Sequence, residues 1–367
     1  MNVMDNSISK IDQLYRMQLS LFSSPEVLGN TFADQNSISR FVHDKRSKRV
    51  SSSNLKDFPK IIGPKGGFNR IKGAPIQITN QDGSVEIFHV YPGTRESLIE
   101  ECLIHFATNG EFSIEKGEPG YRLTNGRVGV CFTLYQLRKS LGLRNKEYRL
   151  DELKEGLNVL KDANYSYFPD EDTDRAEHFG EYIIAKMTKI RNDYPNDAVR
   201  SDYVYFVEFT SEVSDKILSG EYRAYDAICS LSMKSPLARY LYKQFTHGWQ
   251  QANNRGQTGS YLELMQNEVI QASGVPLSTN VTKRRMVLLN ALNELVSSGI
   301  IQKFSEQDDI LPVKNGRKIV DVMFVVRPTN KLIKQQINGF KRLKESRAIG
   351  DRNARALESS GMMLRAI

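Results

Sequence analysis

In "RESLIEECLIHFA" the apolar positions Leu98, Ile99, Cys102, Leu103 and Phe106 recur at spacings of three and four, which puts them on one stripe of a helix. The period then changes. "VGVCFT" reads as a short strand, Leu134, Leu137 and Leu141 predict a helix ending at Gly142, and "LRNKEYR" is a basic turn. Leu150, Leu153, Leu157 and Leu160 give a further helix, followed by the strand-like "YSYF". The acidic "PDEDTD" reads as a loop, with "YVYFVEF" as its returning or bridging strand.

A similar order follows Ser219. In "KSPLARYLYKQF", Ser235 is a fitting N-cap and Pro236 suits the first helical position, with Leu237, Tyr240, Leu241 and Phe245 as the inward stripe. "YLELMQNEVIQASG" predicts a helix stopped by Gly274, and "VPLSTNVTKRRMVLLNALNELVSSG" a turn and a long helix stopped by Gly299. "IIQKF" and "KIVDVMFVV" predict strands, and Asn315-Gly316 signals a tight hairpin after "ILPV".

Helix, strand, helix, helix, then a strand hairpin is the order of a winged helix, a helix-turn-helix variant. The expected fold class is therefore α+β: two tandem winged-helix DNA-binding domains at 94–218 and 219–328. A flexible N-terminal interaction segment and linker, 1–93, precedes them, and a basic C-terminal helix and tail, 329–367, follows. Within 1–93 the stretch from Ser23 to Gln81 is rich in Ser, Asn, Gly and Pro, although "PIQIT" and "VEIFHVY" could pair across Asp82-Gly83.

Charge narrows the partners. Lys plus Arg number 51 against 43 Asp plus Glu, a formal net charge of +8 in 367 residues, which favours a polyanion. No apolar run approaches the about 20 residues that span a bilayer, so the expectation is a cytoplasmic protein with no membrane contact. Cys102, Cys131 and Cys229 lie far apart in apolar surroundings and read as reduced core thiols.

Little in the sequence suggests catalysis. "GPKGGF" lacks the closing Gly-Lys-Ser/Thr of a phosphate-cradling loop. His43, His89, His105, His178 and His247 are scattered without metal-ligand spacing, and "DEDTD" lacks the glycine and distal glutamate of a calcium loop. The expectation is a protein that is not an enzyme and carries neither metal nor cofactor.

Binding groups are more plentiful. With Leu288, Leu292 and Leu295 turned inward at about 100° per residue, Thr279, Thr282, Lys283, Met286 and Asn290 project outward, next to Asn280 and the cations Arg284 and Arg285. Hydroxyls, amides and cations in that pattern suit phosphates and base edges in a major groove; an ordinary solvated face is the alternative. Lys314, Arg317 and Lys318 flank the hairpin turn, where they could reach phosphate or simply solubilise the tip. In the first unit the corresponding helix would expose Glu147, Tyr148, Asp151, Glu155 and Asn158, a poor groove reader, which leaves backbone contacts to Arg138, Lys139, Arg144, Lys146 and Arg149.

The tandem order and strings such as "CFTLYQLRKSLG", "SPLARYLY" and "LLNALNELVSSGII" resemble plasmid replication initiators, most of all the TrfA type. The likeness covers about residues 94 to 328 as an order of elements. "QLSLF" resembles the peptide by which bacterial replication proteins bind the DNA polymerase sliding clamp. There the glutamine bonds at the rim of a cleft and the apolar residues fill pockets; Gln18, Leu19, Leu21 and Phe22 match, with Ser20 as spacer. Ile11, Leu14, Tyr15, Leu19 and Phe22 also suit an amphipathic helix docked on the chain's own core.

Taken with the residues, the resemblance implies a bacterial initiator, of plasmid or phage, that binds repeated sites in double-stranded origin DNA. It would promote opening of an adjacent segment and recruit the clamp. The replicative helicase, the host initiator and a second copy of the chain are further candidate partners. The rivals are a winged-helix transcriptional repressor without a replication role, and a nicking or primase-type enzyme.

Overall fold

The stretch expected to serve as linker carries six strands among its described residues. They are β1 (Leu28–Thr31), β2 (Arg49–Ser51), β3 (Lys60–Ile62), β4 (Phe68–Lys72), β5 (Ala74–Thr79) and β6 (Val85–Val90). The computed structural model describes residues 28–31, 38–44, 49–54, 58–63, 67–79, 82–109, 120–124, 127–142, 148–169, 178–191, 203–219, 223–248, 261–338 and 341.

From Thr94 the helices follow the apolar stripes. Helix α1 (Thr94–Asn109) buries Leu98, Ile99, Cys102 and Leu103 completely. Strands β7 (Gly120–Thr124) and β8 (Arg127–Phe132) come next, then α2 (Leu134–Gly142) and α3 (Leu150–Asp162). A capping box starts α2: the Thr133 N–H donates to Gln136 Oε1 at 2.6 Å and the Gln136 N–H to Thr133 Oγ1 at 3.1 Å. Strands β9 (Asn164–Phe168), β10 (His178–Glu181), β11 (Ile184–Arg191) and β12 (Tyr203–Phe209) and helix α4 (Ser211–Ser219) close the first half.

The second half opens with β13 (Arg223–Asp226) and α5 (Ala227–Ser232). It continues with α6 (Pro236–Gly248), β14 (Leu262–Met265), α7 (Gln266–Ala272), α8 (Val281–Ser297), β15 (Ile310–Asn315) and β16 (Lys318–Val326), and residues 330–338 form α9. Ser235 caps α6, accepting the Ala238 N–H at 3.3 Å. "YLELM" departs from expectation: its Leu262–Met265 portion is strand β14, and the helix begins at Gln266. "IIQKF" makes only the bridge Ile301 to Pro328, with Ile300 and Ile301 buried. In the last hairpin Asn315 pairs with Lys318, so Gly316, at φ +60°, and Arg317 take the turn.

All the sheets are small and antiparallel, and the two halves close theirs differently. The second half makes a three-stranded sheet in the order β14-β16-β15. In the first half the hairpin β9–β10 is completed by β4 and β3, while β8 joins β7, β12 and β11. "YVYFVEF" is therefore not the returning strand of the acidic-loop hairpin; that strand is β10, and the acidic loop itself lies outside the described residues. Register explains the choice, since Tyr205, Val207 and Phe209 point to the buried side of β12, with Tyr205 and Val207 opposite Phe132 and Val130 on β8. The remaining sheets are β2-β6-β5 and the pair β1–β13.

Residues 38–44 form a buried seam between the halves. On one side the Ser39 N–H donates to the Ala272 carbonyl at 2.7 Å and the His43 N–H to the Gly274 carbonyl at 2.9 Å. On the other, the Val42 N–H reaches Pro92 at 2.8 Å, and Arg40 pairs with Glu100 of α1 at 2.9 Å. The Arg40 guanidinium lies over the rings of Tyr165 and Tyr182 at 5.4 and 5.3 Å. Burial works against its charge, but Glu100 and the tyrosines hold the guanidinium above its usual range.

Gly274 shows how tight the seam is. Its φ is +74°, and a Cβ there would stand 2.0 Å from the Phe41 carbonyl oxygen. Gly274→Ala is expected to cost more than about 2 kcal/mol in urea unfolding, since backbone strain and a clash with backbone add; a change within about 0.5 kcal/mol would mean the seam yields.

His43 makes the seam sensitive to acid. Its Nδ1 lies 2.9 Å from Thr94 Oγ1, and burial, together with Arg239 and Lys243, pushes its pKa down from 6.5 to about 3. The unfolded chain takes up that proton and the folded chain does not, so this contribution to stability is complete above the unfolded pKa and is lost as pH falls toward 3. Between about pH 7 and pH 5 the native chain should lose at most about 2 kcal/mol more than His43→Gln does, measured by urea unfolding at both pH values. Equal losses would place the acid sensitivity elsewhere.

Candidate nucleic-acid interface

Helix α8 is held by its inner face. Leu288, Ala291, Leu292 and Leu295 are completely buried, and each leucine contributes roughly 1.5–3 kcal/mol of burial. Helix α8 packs against α6, α7 and β16. Asn280 begins it as N-cap, its Oδ1 accepting the N–H groups of Thr282 at 2.8 Å and Lys283 at 3.2 Å.

The opposite face is open. Thr279, Asn280, Thr282, Lys283, Met286 and Asn290 are all exposed, Met286 to 49%. Asn280 is committed through its Oδ1 to capping, so of this group it is the least free to read a base.

Two of the expected cations are engaged instead. Arg284 is half-buried and folds back along the helix: Nη1 donates to the Ser278 carbonyl at 3.0 Å and Nη2 to the Val320 carbonyl at 3.3 Å. It therefore joins α8 to β16 and is not presented to solvent. Arg285 pairs with Glu306 at 3.1 Å, an exposed contact that a phosphate could displace.

The bond from Arg284 to Val320 also brings the hairpin close. Val320 lies two residues beyond Lys318, so the tip carrying Lys314, Arg317 and Lys318, all exposed, rises beside the first turns of α8. Exposed apolar side chains accompany these charges, namely Val287 at 39% and Ile319 at 43%, neither singled out from the sequence. Periodicity places Val287 beside Leu288, and only the packing shows that it is left outside.

The first half offers a weaker surface. Arg138 and Lys139 are exposed on α2, with the Arg138 guanidinium 5.4 Å from the ring of Tyr135, itself 55% exposed. Arg149 makes a two-point contact with Asp151 at 3.1 and 2.8 Å. Arg144 and Lys146 lie outside the described residues, as do Glu147 and the whole of Gln18, Leu19, Ser20, Leu21 and Phe22.

The face of α3 differs from expectation. Asp151 is exposed, but Tyr148, Glu155 and Asn158 are partly covered, because α3 packs on β5 and β11. Glu155 accepts from Arg49 of β2 and Arg95 of α1, each at 3.0 Å. An upstream sheet thus covers part of this face.

Among the described residues no cluster of three or more His, Cys, Asp or Glu side chains could hold a metal ion, and no helix is long and apolar enough to cross a membrane.

No family model matches the chain, and no curated protein matches it. Among solved structures, a crystal structure of RctB domains 2-3 is 10% identical and covers 76% of this chain and 98% of that one, at a TM-score of 0.37. A selenomethionine derivative of domains 2 and 3 of RctB is 9% identical and covers 78% and 94% of the two chains, at a TM-score of 0.40.

Proposed function

We propose that this protein is a sequence-specific DNA-binding replication initiator whose second half is a winged helix. Helix α8 enters the major groove and the β15–β16 hairpin is the wing. One observation carries this reading: a helix anchored by buried leucines presents Thr282, Lys283, Met286 and Asn290 outward, beside a hairpin tip bearing Lys314, Arg317 and Lys318. Cations on both elements would bind phosphates, Thr282 and Asn290 would contact base edges, and Met286 with Val287 would meet thymine methyl groups.

The first half, with Arg138 and Lys139 as its exposed cations, adds phosphate contacts and little sequence reading. The protein performs no covalent chemistry. Gln18 to Phe22 tether it to the sliding clamp, so Leu21→Ala with Phe22→Ala is expected to abolish clamp binding in a pull-down while DNA affinity and unfolding temperature stay unchanged; retained clamp binding would remove that partner.

Sequencing DNA selected by the purified chain tests the reading as a whole. Directly repeated sites support an initiator, a palindrome supports a repressor, and the absence of any enriched sequence would end both.

A further inference from the structure

A cavity opens between α1, α6 and the seam, lined among others by Arg40, His43, Ser97, Glu100, Arg239 and Lys243. Its hydrogen bonds are incomplete. Glu100 pairs through Oε1 with Arg40 at 2.9 Å while its buried Oε2 has no hydrogen-bond partner among the described residues, and Glu101, just behind, pairs with Lys243. Arg239, only 2% exposed, donates from Nη1 to the Met233 carbonyl at 3.0 Å; its Nη2 is buried and has no hydrogen-bond partner among the described residues. Glu101 and Glu294 act on Arg239 through space, but neither bonds Nη2, and the two Glu294 oxygens accept the N–H groups of Lys234 and Ser235 at 2.5 and 3.0 Å.

A buried guanidinium with an N–H group left without an acceptor is costly. Burial lowers the Arg239 pKa, while burial together with Arg239 and Lys243 keeps His43 neutral. Pro236, the first residue of α6, also lines the cavity, so the positive end of a 13-residue helix opens onto it.

We propose that this cavity binds a small oxyanion, inorganic phosphate or the phosphate of a monoester, with Arg239 as its principal ligand and Lys243 at its edge. The anion supplies the missing acceptor for Nη2. Because the cavity is walled by α1, α6 and residues 39–43, an occupant clamps the two halves together. The site is separate from the α8 face and stands whether or not that face reads DNA.

The test uses the full chain without DNA at about pH 8, where His43 is neutral in folded and unfolded states alike. Equilibrium dialysis with inorganic phosphate should give one bound anion per chain. The unfolding temperature should rise saturably in phosphate over chloride at matched ionic strength. Arg239→Gln should weaken phosphate binding by about tenfold or more, through loss of the charge-assisted hydrogen bond from Nη2. In chloride that variant should unfold no earlier than the native chain. If AMP binds more tightly than phosphate, the ligand is a phosphate monoester; if less, the free anion. Equal unfolding temperatures in phosphate and chloride, or wild-type phosphate affinity in Arg239→Gln, would overturn the proposal. Should that variant not fold, hydrogen exchange of the native chain decides. Phosphate should slow exchange at residues 38–43 and in the first turn of α6, and unchanged exchange there sinks the idea.

Discussion

A chain carrying Lys283→Gln, Lys314→Gln, Arg317→Gln and Lys318→Gln is expected to bind its DNA about a thousandfold more weakly at about 0.1 M salt than the native chain does. Each cation that neutralises a phosphate releases close to one counter-ion, so the slope of log affinity against log salt should shrink by about three to four. These residues lie on the exposed side of α8 and at the hairpin tip, away from Leu288, Leu292 and Leu295, so the unfolding temperature should hardly move. Fluorescence anisotropy across a salt series reads both numbers. Removing Arg138 and Lys139 alone should cost less than about tenfold, and equal losses from the two sets would shift the main DNA surface to the first half. Specificity separates from affinity in the same assay. Lys283→Ala with Met286→Ala should lower the preference for the selected sequence by about 1–3 kcal/mol per base pair read, and an unchanged preference would dismiss α8 as the reader.

Glu100→Ala should destabilise the fold by about 3–5 kcal/mol, the second large effect. Glu100 holds Arg40 at 2.9 Å with both side chains nearly sealed from water, so its loss strands a guanidinium inside the protein. Arg40 also accepts the Tyr182 hydroxyl on its backbone carbonyl and lies against two tyrosine rings, and those contacts cannot follow the charge to solvent. Replacing both partners, Arg40→Met with Glu100→Leu, should recover most of the loss, because the cost is the unpaired charge and not the missing pair. Urea unfolding of the two variants measures this. A Glu100→Ala effect below about 1 kcal/mol would mean that water reaches Arg40 and that the seam is looser than it looks.

The exposed face of α8 was legible because it depends on one helix. Leucines at three and four place Lys283, Met286 and Asn290 opposite them whatever else the chain does, and α8 carries that arrangement over Val281–Ser297. Arg284 was misjudged because a long side chain can bend off its helical direction, and its carbonyl partner at Val320 lies 36 residues away. The covered face of α3 was missed for a similar reason: β5, which lies on it, comes from a stretch whose Ser, Asn, Gly and Pro content suggested a linker. In that stretch composition misled, while the Asp82-Gly83 hairpin signal did not, since β5 and β6 pair across it.

Local structure followed from local chemistry. The apolar periods of α1, α2, α3, α6 and α8, the cap at Ser235, and the hairpins at Gly83 and Gly316 each need only neighbours within a few residues, so the sequence alone determined them. Partner choice between distant strands was decided by the tertiary structure. Strand β4 carries its two apolar residues, Phe68 and Ile71, on opposite faces, so local pattern does not choose its edge; tertiary packing sets it beside β9, just as the packing of Tyr205 and Val207 selects β8 for β12. The same holds for residues 38–44, where Ile38, Phe41 and Val42 stand among four polar residues without a helical or strand period, and only the packing draws them in as the seam between the halves, with Arg40 neutralised by a carboxylate 60 residues away.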